Sequence, residues 1–154
     1  MSKVTIFNIP CHGHMNPALA LAQELIGRGE RVTFYCTREF EPRIVVAGAQ
    51  FRPYPIDDSY VRPTGEVFEG AARLMEACTA GYGQLSQELR ESPPDYIVHD
   101  SVCVWGKILA HAHGIPAVCS VTQLAFSLRV LLTSVPFMSF RRTHREVPEP
   151  RQNR

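Results

Sequence analysis

The alternation of short β-branched runs with helical repeats constrains this chain more than any other feature of its sequence. Residues 4–9 (VTIFNI) form a β-branched and aromatic run that ends in Pro10-Cys11-His12-Gly13-His14, the pattern of a largely buried strand feeding a loop. Asn16-Pro17 then supplies a cap and a proline for a first helical position. Leu19, Ala22, Leu25 and Ile26 follow at helical spacing, up to a stop at Gly27-Arg28-Gly29. Residues 31–36 (RVTFYC) read as a second strand, 39–47 as a short helix and 50–54 as a third strand. After a loop-like stretch at 60–64, residues 66–90 read as one long helix, or two broken near Gly81, with Ser92-Pro93-Pro94 as terminator. Residues 95–99 (DYIVH), 102–113 and 115–120 (IPAVCS) complete a second strand-helix-strand unit. The rhythm predicts an α/β fold, a Rossmann-like doubly wound parallel sheet.

Composition narrows the partners. The chain has 154 residues, 45% of them hydrophobic and 20% charged, within the range of one globular domain. A formal net charge of +1 provides no field that would favour nucleic acid or anionic lipid. Residues 118–140 are apolar but interrupted by Arg129 and Pro136, which suits a buried segment rather than a membrane span. The N-terminal apolar run is too short for a signal-peptide core, and the five scattered cysteines lack CxxC pairs and read as reduced thiols. A cytoplasmic protein with no nucleic-acid and no membrane partner is expected. Residues 141–154 hold five arginines, two prolines and no aromatic residue, so the domain is placed at 1–140 and an exposed tail or linker at 141–154.

In doubly wound sheets, ligands sit at the carboxyl ends of the strands, where the strand order reverses. If the order here is 3-2-1-4-5, strands 1 and 4 flank that crevice, and His14 after the first would face Asp100 after the fourth. A carboxylate that fixes the ring tautomer leaves the other nitrogen to accept a proton from a hydroxyl. The positive end of the first helix favours the neutral ring, while the carboxylate favours the charged one. Plainer roles compete: His14 as a backbone hydrogen-bonding loop residue, Asp100 as the cap of the next helix.

Other chemistries find less support. Cys11, His12 and His14 are three potential metal ligands within four residues, yet no distant motif completes a set, and no metal site is expected. His111 and His113 lie two apart in a helix, on different faces. The first loop lacks GxGxxG and the chain lacks GxxxxGK[ST], which argues against dinucleotide and P-loop sites. A nucleotide-binding protein of the flavodoxin or response-regulator type would need an acidic cluster at the strand ends, and none is present.

The segment Phe7-Asn8-Ile9-Pro10-Cys11-His12-Gly13-His14-Met15-Asn16-Pro17-Ala18-Leu19, followed by Gly29-Glu30-Arg31-Val32-Thr33-Phe34, resembles the start of family 1 glycosyltransferases, most closely the bacterial macrolide branch. Pro94-Asp95-Tyr96-Ile97-Val98-His99-Asp100 and the later Gly114-Ile115-Pro116-Ala117-Val118 resemble that family's fourth strand, its aspartate and its fifth strand. The similarity runs over about residues 3–140. It implies one half of a GT-B fold, the acceptor-binding N-terminal domain, with His14 in the position of the catalytic base and Asp100 in that of its partner. It further implies an inverting displacement on a UDP-sugar, which is a co-substrate held mainly by a second domain, with no cofactor and no metal.

The implied partners are a small-molecule acceptor, such as a macrolide, flavonoid or other polyphenol, and a donor-binding domain or subunit. The donor domain's H-x-G-x-x-S/G-type signature is missing from the chain, which is therefore not expected to turn over alone. The implied acceptor pocket draws on the loop after strand 1 and on residues 58–73 and 121–137. Met15, Phe68, Thr122, Phe126 and Phe137 are its acceptor-binding candidates; the methionine and the phenylalanines read equally as ordinary core residues. A non-catalytic module of the same fold, binding a small molecule or a partner, is the alternative.

Overall fold

A parallel sheet of order β3-β2-β1-β4-β5 organises the computed structural model, which describes residues 1–55, 73, 76 and 78–122. The strands are β1 (Lys3–Phe7), β2 (Arg31–Cys36), β3 (Gln50–Pro53), β4 (Tyr96–Asp100) and β5 (Ala117–Ser120). Ile6 sits in register with Phe34 on one side and Val98 on the other, so β1 is the central strand at which the order reverses.

Strand alternation divides the apolar residues between two faces, and helices cover both. Val4, Ile6, Val32 and Phe34 pack against Met15, Ala18, Leu19 and Ala22 of α1 (His12–Gly27) and Ile44 of α2 (Glu41–Val46). Phe7, Tyr35 and Ile97 pack on the opposite face against Leu85 and Leu89 of α3 (Tyr82–Glu91) and Trp105 and Leu109 of α4 (Val104–Ala112). Each such large side chain taken wholly out of water contributes about 1.5–3 kcal/mol. The doubly wound sheet expected from the sequence is the observed one, and its strand order is the one on which the meeting of His14 and Asp100 was conditional.

Two boundaries differ in ways that matter for the site. The first helix begins at His12 rather than at Asn16-Pro17, and Pro17 lies inside it. Cys11 is extended (φ −132°, ψ 127°), and its carbonyl accepts the N–H groups of His14 at 2.9 Å and Met15 at 2.8 Å, so one more turn winds up on the strand side. Proline tolerates this because its missing donor deprives only the Gly13 carbonyl, which is on an exposed residue and meets water. His14 therefore belongs to the first helical turn instead of the preceding loop. The fourth strand runs to Asp100, which puts that carboxylate on the last strand position rather than beyond it.

Residues 78–80 are helical and a turn at Gly81 precedes α3, so the break near this glycine is real. The chain packs closely at this point: a Cβ on Gly81 would lie 2.5 Å from Cγ of Pro55. Among the described residues no helix is long and apolar enough to cross a membrane. Phe68, Phe126, Phe137 and the 141–154 tail lie outside the described residues.

Candidate functional site

Parallel pairing of β1 with β4 brings their carboxyl ends together, and each end supplies one member of a buried pair. His14 follows β1 by way of the tight Cys11 turn, and Asp100 closes β4. Nδ1 of His14 lies 2.8 Å from Oδ2 of Asp100, with side-chain exposures of 9% and 2%. The other carboxylate oxygen accepts the Val102 N–H at 2.8 Å, and the Asp100 carbonyl accepts the Cys103 N–H at 2.9 Å. Asp100 thus holds the histidine and closes the turn that precedes α4, but it does not cap that helix: Cys103 stands at the N-cap, with no side-chain cap hydrogen bond.

Thr122 joins the pair. Its hydroxyl lies 2.7 Å from His14 Nδ1 and donates to Asp100 Oδ2 at 3.0 Å. For a neutral ring, these three distances favour one tautomer. A bare Nδ1 lone pair 2.8 Å from a carboxylate oxygen would be repelled, so Nδ1 carries the proton and the neutral ring has its basic lone pair on Nε2. The start of α1 adds its partial positive charge, with no acidic residue in the first turn to offset it.

Asn8 is the site residue that sequence reasoning passed over. It is 1% exposed; its side-chain amide donates to the His14 carbonyl at 3.2 Å, and its Oδ1 accepts the Ile9 N–H at 3.0 Å. The Tyr54 hydroxyl donates to the Asn8 carbonyl at 2.9 Å, locking the same turn from the other side. Its only signal was an amide inside the apolar run Phe7-Asn8-Ile9.

Other candidates go elsewhere. Met15 is 0% exposed, with its sulfur 3.3 Å from Asn8 Nδ2 and 3.7 Å from Cys36 Sγ, which is the core role of the two the sequence allowed. His12 packs edge-on against Phe40, and Arg43 donates to its Nδ1 at 3.2 Å while also donating to Asn16 Oδ1 at 2.7 Å. Cys11 is exposed. Cys11, His12 and His14 therefore diverge, and among the described residues no group of three such ligands converges. His99 is buried and its Nδ1 donates to the Asp100 carbonyl at 3.0 Å, not to the carboxylate. Beneath the site, burial pushes the Tyr54 hydroxyl and the Cys103 thiol well up from their ordinary values, so both remain neutral packing groups.

No protein-family model matches the chain. Among curated proteins it is 32% identical over 119 residues to the NDP-glycosyltransferase YjiC of Bacillus subtilis, covering 75% of this chain and 30% of the relative. Its homologues are glycosyltransferases. They include demethyllactenocin mycarosyltransferase of Streptomyces fradiae, 29% identical over 139 residues, with 81% of this chain and 30% of that protein covered. The oleandomycin glycosyltransferase of Streptomyces antibioticus is 26% identical over 124 residues, with 76% and 28% covered. The chain spans about a third of the length of these curated relatives. Solved glycosyltransferases of GT-B architecture share the fold. The calicheamicin glycosyltransferase CalG4 superposes with a TM-score of 0.69 at 25% identity, covering 89% of this chain and 37% of that one. The glycosyltransferase of kitacinnamycin gives 0.73 at 22% identity, covering 88% and 34%.

Proposed function

We propose that this chain is the acceptor-binding part of an inverting glycosyltransferase that uses a UDP-sugar, and that His14 is its catalytic base. The observation that carries this reading is the fixed Nδ1 of His14, engaged by Asp100 and Thr122, which assigns the basic lone pair to Nε2.

In the proposed step the acceptor O–H gives its proton to Nε2 as its oxygen bonds to the anomeric carbon. The bond from that carbon to the diphosphate breaks, UDP leaves with the electron pair from the opposite face, and the centre inverts. Asp100, already 2.8 Å from Nδ1, stabilises the imidazolium that forms. Helix dipole and side chains of a donor-binding domain or subunit would hold the diphosphate. The acceptor would be a small, apolar, hydroxylated molecule, a class in keeping with the names of the oleandomycin and demethyllactenocin relatives, with Phe68, Phe126 and Phe137 as apolar walls. The 154 residues alone would lack turnover, and their scattered thiols suit a reducing, cytoplasmic setting.

The test is complementation with a donor-binding half, in trans or by fusion, followed by His14→Ala. Transfer is expected to fall by about 10²–10⁴-fold, the usual worth of a positioned base. Undiminished transfer removes His14 from the mechanism. Aglycone binding by calorimetry with no transfer in any complemented form would instead support a binding module.

A further inference from the structure

Thr122 lies two residues beyond β5, and its position follows from the sheet. Asp100 and Ser120 are register partners, and the Ser101 N–H continues the ladder to the Ser120 carbonyl at 3.0 Å. The next residues bring the Thr122 hydroxyl over the carboxylate, where it meets Oδ2 at 3.0 Å and His14 Nδ1 at 2.7 Å. A hydroxyl has one proton and two lone pairs. With its proton given to Oδ2, a lone pair faces the Nδ1 proton, which is then shared between Thr122 Oγ1 and Asp100 Oδ2.

We propose that Thr122 is a positioning residue, which holds the His14 ring in one orientation and in its Nδ1-protonated tautomer by bridging that nitrogen to Asp100. Sequence resemblance placed Thr122 among acceptor contacts, whereas its hydrogen bonds run to the histidine and the carboxylate. A half-turn of the ring about its Cβ–Cγ bond would break both contacts at once. With Asp100 alone, it would break one. The importance of this device for catalysis rests on His14 being the base, but the positioning itself does not.

The first test needs no sugar transfer. In the 154-residue chain labelled with 15N at histidine, long-range 1H–15N spectra report which ring nitrogen of each neutral histidine carries the proton. A His14→Gln variant assigns the His14 signal, and the His99 and His113 signals show that the fold is retained. Wild type and Thr122→Ser are expected to show His14 protonated on Nδ1, and Thr122→Val a population shared with the Nε2 form. A Thr122→Val spectrum identical to wild type, or a Thr122→Ser spectrum resembling that of Thr122→Val, overturns the proposal.

In the complemented enzyme, Thr122→Val is expected to lower kcat by about 5–10-fold, the effect of one lost hydrogen bond, with KM within twofold. Thr122→Ser restores kcat. A raised KM at unchanged kcat would put Thr122 on the acceptor instead and overturn the positioning role. If the tautomer shifts on Thr122→Val while His14→Ala keeps full transfer, the positioning stands and the base assignment falls.

Discussion

The side-chain amide of Asn8 donates to the backbone carbonyl of His14 at 3.2 Å, tying the end of β1 to the first turn of α1. This link sets where the imidazole starts from, since backbone position and ring position are separated by only two torsions. Asn8→Ala removes the donor and leaves the Ile9 N–H without its 3.0 Å acceptor. A loss of about 1–3 kcal/mol is expected in urea unfolding. A change below about 0.5 kcal/mol would place Asn8 among ordinary surface-like substitutions.

Asp100→Asn tests the tautomer from the other side. An amide in place of Oδ2 can offer its N–H to Nδ1, which moves the ring proton to Nε2 and takes away the basic lone pair. In the complemented enzyme kcat is expected to drop by about 10²–10⁴-fold while the fold, read by circular dichroism, is kept. Equal kcat for the two proteins would contradict the assigned proton arrangement.

Two glycines predict opposite outcomes for the same substitution. A Cβ on Gly106 would stand 2.7 Å from Cβ of His99 and 3.1 Å from Cβ of Phe7, so α4 lies directly on β1 and β4 beside the site. Gly106→Ala should destabilise by about 1–3 kcal/mol through overpacking. A Cβ on Gly83, in α3, meets nothing within 4 Å among the described residues, and Gly83→Ala should stabilise by roughly 0.5 kcal/mol through helix propensity. Thermal midpoints moving in the same direction would refute the packing argument.

Alkaline pH should unfold the protein partly through its buried thiols. Burial pushes the Cys78 thiol from 9.0 to about 12, and it pushes Cys103 up as well. The unfolded chain ionises these thiols near their ordinary value while the native chain holds them neutral. Their stabilising effect is therefore complete below about pH 9 and is lost as pH rises towards 12. Urea midpoints should decline over that window, with a shallower decline in Cys78→Ala. In native protein at neutral pH, alkylation read by mass spectrometry should modify exposed Cys11 and Cys119 and spare Cys78 and Cys103. Rapid modification of Cys78 would show that it is not held in the core.

By itself the sequence determined the doubly wound sheet and, on the condition of a 3-2-1-4-5 strand order, the pairing of its two key side chains. Strand and helix periods are local, and parallel β-α-β connections leave few ways to stack the units. RVTFYC at 31–36 is β2 as expected, and the two strand-end motifs carried both the family likeness and the meeting of His14 with Asp100. Tertiary structure alone decided the start of α1, the burial of Asn8 and Met15, and the placement of Thr122. Asn16-Pro17 is a sound local signal for a helix start, yet the extended Cys11 carbonyl captured two donors and began the helix a turn earlier. Thr122 is in no motif with His14; it reaches the ring only because β5 lies beside β4, and hydrogen bonds between residues far apart in the chain are specified by the packed sheet rather than by any local pattern.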